Sequence, residues 1–577
     1  MTIPKLDPAY LRDQIVGVDS TFETPFGQRL MVYCDYTASG RCLRFVETYL
    51  QSLQKVYANT HTEDDITGRS MSQLLHEAEE AIKASVNAGP GGRIIACGTG
   101  ATGAIDKLQQ IIGVAMSPAT RQNLSEIVTR SDVDEDTFRA AVREHQPIVF
   151  VGPYEHHSNE ISWRQCLAET VEVRLDRHGH VDLEHLEQLL QDPAYHGRMR
   201  IGSFSAASNV TGIKTDVRAV TTLLHKHDAL ACVDYAACAP YVEIDMNPEP
   251  LQEGDDAAID AIFVSPHKFL GGPGSSGVLV FNERIYHREL PPSVSAGGTV
   301  DYVGPDDQDF INHIEEREKA GTPGVLQTLK AGLVFQIKDR VGVDVINKRE
   351  HELTQRVMRS WGDDENIEIL GNPDPGSRVG IISFNLRDPG GNYLHHKFVT
   401  ALLNDLFGIQ SRAGCSCAGP YGHRLLDIDN VTSSRYRQVV QQGYCGMKPG
   451  WCRVGLHWVM DDAEANYVID AVHFIAEHGR KFLELYEFDL CTGTWTHRQC
   501  AVELPKFSLD NALADAEAEP ANLSLSLRKQ LYDHYMTEAR RWVQRLDEER
   551  PVSTVSLDGE LGDLQFFSLP DHGDSKH

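Results

Sequence analysis

Ser265-Pro266-His267-Lys268-Phe269-Leu270-Gly271-Gly272-Pro273-Gly274 sets one lysine between an apolar run, residues 261–264, and a glycine-rich turn. A short apolar run bounded by turn signals reads as a buried strand, so Lys268 is held at a strand end. The glycines let backbone come close to an anion, and Ser265 and His267 add side-chain donors. A lysine amine placed there can form a Schiff base with an aldehyde.

Working outward, apolar runs alternate with helical segments from about residue 90 to 285. Strands are expected at 93–97, 148–151, 171–175, 200–205, 230–234, 261–264 and 278–281, and helices at 71–87, 104–114, 183–190 and 217–227. Such alternation predicts an α/β domain on a largely parallel sheet, whose ligands gather at strand C-terminal ends. Past about residue 340 the texture changes: a helix at 343–361, a strand at 379–386, a helix at 395–407, a strand at 451–458 and a helix at 463–486 suggest a smaller α+β domain. The expected organisation is an N-terminal segment, 1–30, packing with the small domain; a large domain, 31–339; the small domain, 340–488; and an appendage, 489–577. The appendage holds a polar linker-like stretch, 508–523, and a charged helix at 527–546, without a readable motif.

Composition narrows the partners. With 54 Lys and Arg against 83 Asp and Glu, the formal charge is −29, which opposes binding to nucleic acid or an anionic membrane. No run of 18 apolar residues occurs and the N-terminus lacks a signal-peptide pattern, so a cytoplasmic protein is expected. The 12 cysteines have no disulfide-framework spacing, as in a reduced chain with one or two reactive thiols.

Further segments fall at expected strand ends. Gly98-Thr99-Gly100-Ala101-Thr102-Gly103 follows a strand and opens a helix; its amides and the Thr102 hydroxyl can hold a phosphate dianion, or the segment is only a connection. Glu155-His156-His157-Ser158-Asn159 offers an imidazole that can stack on a planar cofactor and exchange protons with substrate. Paired histidines also suit zinc or a plain surface loop, but no third ligand follows at helical spacing, so no metal is expected. Ala207-Ser208-Asn209-Val210-Thr211-Gly212 supplies an amide donor to a cofactor oxygen, or an Asx-turn. Cys232-Val233-Asp234-Tyr235-Ala236-Ala237 places a carboxylate after an apolar run, where it is costly unless a cation pairs with it. A protonated pyridine nitrogen is such a cation, so Lys268 with Asp234 upstream describes a pyridoxal 5′-phosphate site.

Taken in order, these segments resemble the class V branch of the fold-type I pyridoxal-phosphate enzymes, the group that contains the cysteine desulfurases. The resemblance runs over residues 30–480 and is carried also by Val32-Tyr33-Cys34-Asp35-Tyr36-Thr37-Ala38-Ser39 and Ala320-Gly321-Thr322-Pro323. It implies a fold-type I transferase: a large domain with a mostly parallel seven-stranded sheet, plus a smaller α+β domain. It implies Lys268 as the Schiff-base lysine, Asp234 as the pyridinium partner, His156 over the ring, and Asn209 at the ring's 3′-oxygen and near the substrate. Gly100, Ala101, Thr102, Ser265 and His267 would hold the phosphate. Gly297-Gly298-Thr299 resembles the segment that reaches the phosphate from the other subunit, which implies a homodimer with Thr299 at its partner's site. One departure stands out: desulfurases carry Gln three residues after the Asp, where this chain has Ala237.

Reaction type turns on Arg412-Ala413-Gly414-Cys415-Ser416-Cys417-Ala418-Gly419-Pro420, which resembles the Arg-x-Gly-x-x-Cys loop of desulfurases with Cys417 as nucleophile. A thiol beside an arginine in an exposed loop can attack a substrate sulfur as the thiolate; a small buried cysteine is the alternative. Arg453, in Trp451-Cys452-Arg453-Val454, matches a clamp for the substrate carboxylate, with Arg412 beside it. Cys415 either receives sulfur from its neighbour or is inert, and Cys-x-Cys is not the usual zinc spacing. The excursion 419–450 is longer than compact desulfurases carry and would cover the site. The resemblance thus implies a desulfurase-like enzyme that converts L-cysteine to L-alanine, leaves a persulfide on Cys417, and passes the sulfur to an acceptor protein. The alternative is another class V activity that does not use Cys417: an aminotransferase, a selenocysteine or cysteine-sulfoxide lyase, or a decarboxylase.

Overall fold

The computed structural model describes residues 6–498 except 61, 63, 132 and 388–392, and beyond 498 only Ser526 and the short antiparallel pair Thr554–Val555 with Leu569–Pro570. The expected linker at 508–523 and helix at 527–546 lie outside the described residues. Two compact units are present, Met1–Val502 and Glu503–His577; everything below concerns the first.

Seven strands form the largest sheet: β1 (Gly92–Ala96), β2 (Ile148–Val151), β3 (Glu169–Glu172), β4 (Arg200–Ser205), β5 (Ala229–Asp234), β6 (Ala261–Val264) and β7 (Val278–Asn282). Their order is β1-β7-β6-β5-β4-β2-β3, and only β7 runs against its neighbours. β2 and β6 are buried at every position, as strands covered on both faces must be, so apolar runs replace alternation. Because β1, β2, β4, β5 and β6 run one way, their C-terminal ends share one rim. This α/β architecture is the expected one.

Helices complete the layers. α1 (Ile66–Ser85) starts on Asp65, whose side chain accepts from the Gly68 N–H at 2.7 Å, satisfying one free amide of the first turn. α2 (Gly100–Ile111) rises from the β1 end toward the sheet. α3 (Val325–Val341) is buried nearly all round, as a core helix requires. It lies so close to α1 that a Cβ at Gly332 would sit 2.7 Å from the Ala78 Cβ.

The second sheet is antiparallel: β8 (Ile367–Ile369), β9 (Ile381–Leu386), β10 (Arg412–Gly414) and β11 (Trp451–Gly455), in the order β8-β9-β11-β10. It packs against α4 (Val343–Gly362), α5 (His396–Phe407) and α6 (Asp462–His478) through Trp361, Phe384, Phe398, Leu402, Val454 and Ile475. The N-terminal segment is shared: Leu11 is buried in the large-sheet core, while Arg12 pairs with Glu464 at 3.0 Å and Phe26 packs on Phe482.

Several boundaries differ from expectation. The helix predicted over 463–486 ends at His478, continues as a tight turn, Gly479–Leu485, and becomes the strand Tyr486–Asp489. That strand pairs with Thr494–His497, and Trp495 packs on Phe398, so the packed chain continues past residue 488. Two helices not expected from the sequence, Pro118–Thr129 and Glu135–His145, are capped by Ser117 and Asp134 and bury none of their residues. The 419–450 excursion is helical, with Gly419–Leu425 and Asn430–Gln441. Among the described residues no helix is long and apolar enough to cross a membrane.

Candidate active site

The strand ends meet the β10–β11 sheet around a cavity of about 250 Å³. Lys268 lines it, at the end of a single turn, Pro266–Lys268, after β6. Gly40 makes room for that turn: a Cβ there would fall 1.9 Å from the Phe269 carbonyl oxygen. Burial disfavours the ammonium and brings the Lys268 pKa down to about 8, against the opposing pull of Asp234. Asp234 closes β5 as a buried carboxylate; burial raises its pKa, and the Ala236 N–H donates to it at 2.8 Å. His156 sits on the same rim after β2, its Nδ1 accepting from the Ser158 N–H at 3.1 Å. Burial, then the Lys268 charge, lowers its pKa to about 4, so its ring is neutral at neutral pH.

The β1 end forms a polar cradle. Gly100 has φ +63°, a left-handed conformation open to glycine, and a Cβ there would come within 2.9 Å of Ser265 Oγ and 3.5 Å of His267 Nε2. The Ala101 N–H donates to Ser265 Oγ at 2.9 Å, and the Thr102 and Ser158 hydroxyls are 2.7 Å apart. His267 is neutral too, lowered to about 4 by burial and then by Lys268. A helix start, two hydroxyls and a Cβ-free approach are the donor set a phosphate dianion needs.

Opposite stand two arginines. β10 and β11 pair in a register that puts Arg412 directly across from Arg453, an arrangement unfavourable for like charges unless an acid intervenes. Asp35 intervenes: its carboxylate is 3.0 Å from Arg453 Nη2 and 3.6 Å from Arg412 Nη1. Arg453 Nη1 also donates to the Asn209 carbonyl at 2.9 Å.

Cys417 and Cys415 are both exposed; Cys417 lines the cavity and Cys415 lies outside that lining. The loop between them is pinned: Asn209 Nδ2 donates to the Ser416 carbonyl at 2.6 Å, and the His157 N–H to the Cys417 carbonyl at 2.8 Å. His157 Nε2 in turn accepts from the Gly419 N–H at 3.0 Å. Asn209 therefore spends its amide donor on the loop, leaving its Oδ1 buried without a partner. A cofactor hydroxyl donating to that oxygen would satisfy it, the reverse of the expected donation from Asn209. Ala237 also lines the cavity, with no amide where desulfurases have one. Thr299 lies outside this lining in the single chain; its hydroxyl donates to the Ala296 carbonyl at 2.7 Å. Among the described residues no group of His, Cys, Asp and Glu is arranged to hold a metal ion.

Sequence reasoning gave no role to Asp35, Thr37 or Glu155. Asp35 and Thr37 belong to a quoted motif, and two arginines without a nearby acid in sequence were the missing signal for Asp35. Glu155 lies under the rim, fully buried, accepting from the Ser205 N–H at 2.8 Å, the Ser205 hydroxyl at 2.6 Å and Asn159 Nδ2 at 2.7 Å. Burial pushes its pKa up to about 8. His157 was read together with His156, but it holds the loop rather than the cofactor side.

Residues 137–468, more than half of the chain, match the family described as Aminotransferase class-V. The chain belongs to that family. The class V aminotransferases are pyridoxal-phosphate-dependent enzymes, as the sequence motifs implied. A probable cysteine desulfurase of Halalkalibacterium halodurans is 29% identical over 294 residues, covering 50% of this chain and 66% of that protein. One of Staphylococcus aureus is 30% identical over 300 residues, covering 51% and 66%. The matches thus span 66% of the length of these curated relatives. The apo structure of a cysteine desulfurase from Thermococcus onnurineus shares the fold, with a TM-score of 0.61, 19% identity, and coverage of 82% of this chain and 98% of that one.

The class V cavity fits pyridoxal phosphate on the chemistry of its donors. Asp234 is a buried carboxylate that a ring cation would pair with, the cradle at Gly100 suits a dianion, and Lys268 carries an amine poised to lose its proton.

Proposed function

We propose that the protein is a pyridoxal-phosphate-dependent cysteine desulfurase that converts L-cysteine to L-alanine and leaves the sulfur on Cys417. The observation that carries this reading is the meeting of Cys417 with Lys268, Asp234, Arg412 and Arg453 around one cavity. In it, Lys268, Asp234 and His156 would hold the cofactor's reactive end, and Gly100, Ala101, Thr102, Ser265 and His267 its phosphate. Bound there, the cofactor supplies an electron sink that acidifies the substrate Cα–H.

The chain's own groups do the rest. Arg453 and Arg412 receive the substrate carboxylate, exchanging Asp35 for the ligand and fixing the amino acid's orientation. Lys268, with its pKa drawn down to about 8, takes the Cα proton as a neutral amine. The neutral His156 ring caps the cavity without adding charge. The Cys417 thiolate attacks the substrate sulfur; the Cβ–S bond breaks, its electron pair stays on carbon, and a proton completes the alanine methyl group. Holding that thiol at the cavity wall turns the attack into a proximity-driven step. The reading extends to a cytoplasmic homodimer, with Thr299 reaching the partner's phosphate site, and to a thiol acceptor for the sulfur.

The experiment is to load the protein with pyridoxal phosphate and assay L-cysteine for alanine and sulfide, with Cys417→Ser and Lys268→Ala alongside. Loss of both products in Cys417→Ser is expected. Undiminished turnover there would overturn the reading in favour of a class V transaminase, lyase or decarboxylase. Ala237 favours that second reading, since it removes an amide that desulfurases keep.

A further inference from the structure

We propose that Cys415 is the exit thiol of this site: it takes the sulfur from Cys417 and presents it outside the cavity to an acceptor. The proposal rests on the desulfurase reading and adds a step to it. A swing of its loop to carry sulfur away is opposed for Cys417, because three hydrogen bonds from two residues fasten that loop. Asn209 holds the Ser416 carbonyl at 2.6 Å, the His157 N–H holds the Cys417 carbonyl at 2.8 Å, and His157 Nε2 holds the Gly419 N–H at 3.0 Å. Releasing the loop gives up all three bonds, each worth about 0.5–1.5 kcal/mol net, and strands partly buried partners.

The fastened loop is also a tight turn that holds two cysteines two residues apart. The Ala418 N–H donates to the Cys415 carbonyl at 3.1 Å, and Ser416 and Cys417, at φ 50° and 56°, both adopt the left-handed conformation. Non-glycine residues hold that conformation at a cost of about 1–3 kcal/mol each. Two consecutive ones are kept here by contacts from outside the loop. Residues two apart have Cα atoms at most about 7.6 Å apart, a bound that includes the Cα separations of about 4.4–6.8 Å that linked cysteines span. Both cysteines are exposed, but Cys417 lines the cavity and Cys415 lies outside its wall.

The transfer is redox-neutral. The Cys415 thiolate attacks the outer sulfur of the Cys417 persulfide; the bond between that sulfur and Cys417 Sγ breaks, and its electron pair stays on Cys417 Sγ as a thiolate. Cys415 now carries the persulfide and its proton, and Cys417 is ready for the next substrate.

The test is a single turnover of the full-length holoenzyme with limiting L-cysteine and no added thiol. The reaction is quenched with iodoacetamide, and the extra sulfur is located by tandem mass spectrometry. Alanine is counted in the same samples. The expected result is one alanine per site and sulfur that appears on Cys417 first and on Cys415 later. In Cys415→Ser, the sulfur should stay on Cys417, and its release to dithiothreitol should slow at least tenfold. Alanine formed with sulfur on Cys417 alone at all times in the wild type would overturn the exit-thiol proposal while leaving desulfuration standing. No alanine at all would overturn the desulfurase reading beneath it. The wild-type time course needs no substitution, so misfolding of a variant cannot obscure the outcome.

Discussion

Lys268, Asp234 and His156 stand on the rim of the large sheet, each at or just after the C-terminal end of a buried strand. Cys417, Arg412 and Arg453 stand across the cavity, on the second sheet and the loop that leaves it. The rim owes its geometry to backbone: parallel strands deliver their ends to one edge whatever the surface residues are. The opposite wall owes its geometry to side chains reaching between segments, namely Asp35 between two arginines, Asn209 on Ser416 and His157 on Gly419. In the proposed reaction the rim prepares the Cα–H bond and the facing wall chooses what happens at sulfur. Variants on the two walls should therefore fail differently.

The largest effect is expected from Lys268→Ala, which removes both the cofactor tether and the proton acceptor. Alanine formation should fall by about 10⁴-fold or more, and borohydride should no longer fix cofactor to the chain, as read by absorbance after denaturing gel filtration. Cys417→Ser comes next. Sulfide and alanine release should fall about 10³-fold, yet the visible absorbance of bound cofactor should persist, because the rim is untouched. If the cofactor is lost as well, the two walls are not independent and the comparison breaks. Arg453→Lys should act on binding: losing a bidentate charge-assisted contact of about 1.5–3 kcal/mol raises KM about 10- to 100-fold, with a smaller change in kcat, in steady-state assays.

The mildest handle is pH. Burial lowers the Lys268 pKa to about 8, so the neutral amine is scarce below that pH and dominant above it. The rate of Cα-proton exchange with deuterated solvent should fall by up to about tenfold per pH unit below 8 and level off above it. His156, already neutral with a pKa of about 4, should leave no inflection between pH 5 and 8. The sign for stability runs the same way for the cofactor-free protein. Lys268 binds fewer protons folded than unfolded between about 8 and 10.5, so its contribution to stability grows as pH rises through that window. Thermal unfolding of the apoprotein with and without Lys268→Met would measure it.

Legibility in the sequence follows the same division. Strands at 148–151, 200–205 and 261–264 were readable because a strand covered on both faces is a bare apolar run, and their last residues pointed to the rim. The helices Pro118–Thr129 and Glu135–His145 were not, because they bury nothing and so carry no burial stripe; Ile127 is 63% exposed. The helix expected over 463–486 ran three elements together, since Phe482, Leu483 and Leu485 continue an apolar pattern although the chain has already tightened after His478.

On its own, the sequence determined the parallel sheet, the lysine and carboxylate at its rim, and the family, since each depends on residues near in the chain and on strand periodicity. Tertiary structure alone decided which of two neighbouring cysteines opens to the cavity, that Asp35 sits between Arg412 and Arg453, and that Asn209 turns its donor to Ser416. Those outcomes depend on segments more than 200 residues apart meeting with fixed side-chain directions, which no local pattern encodes.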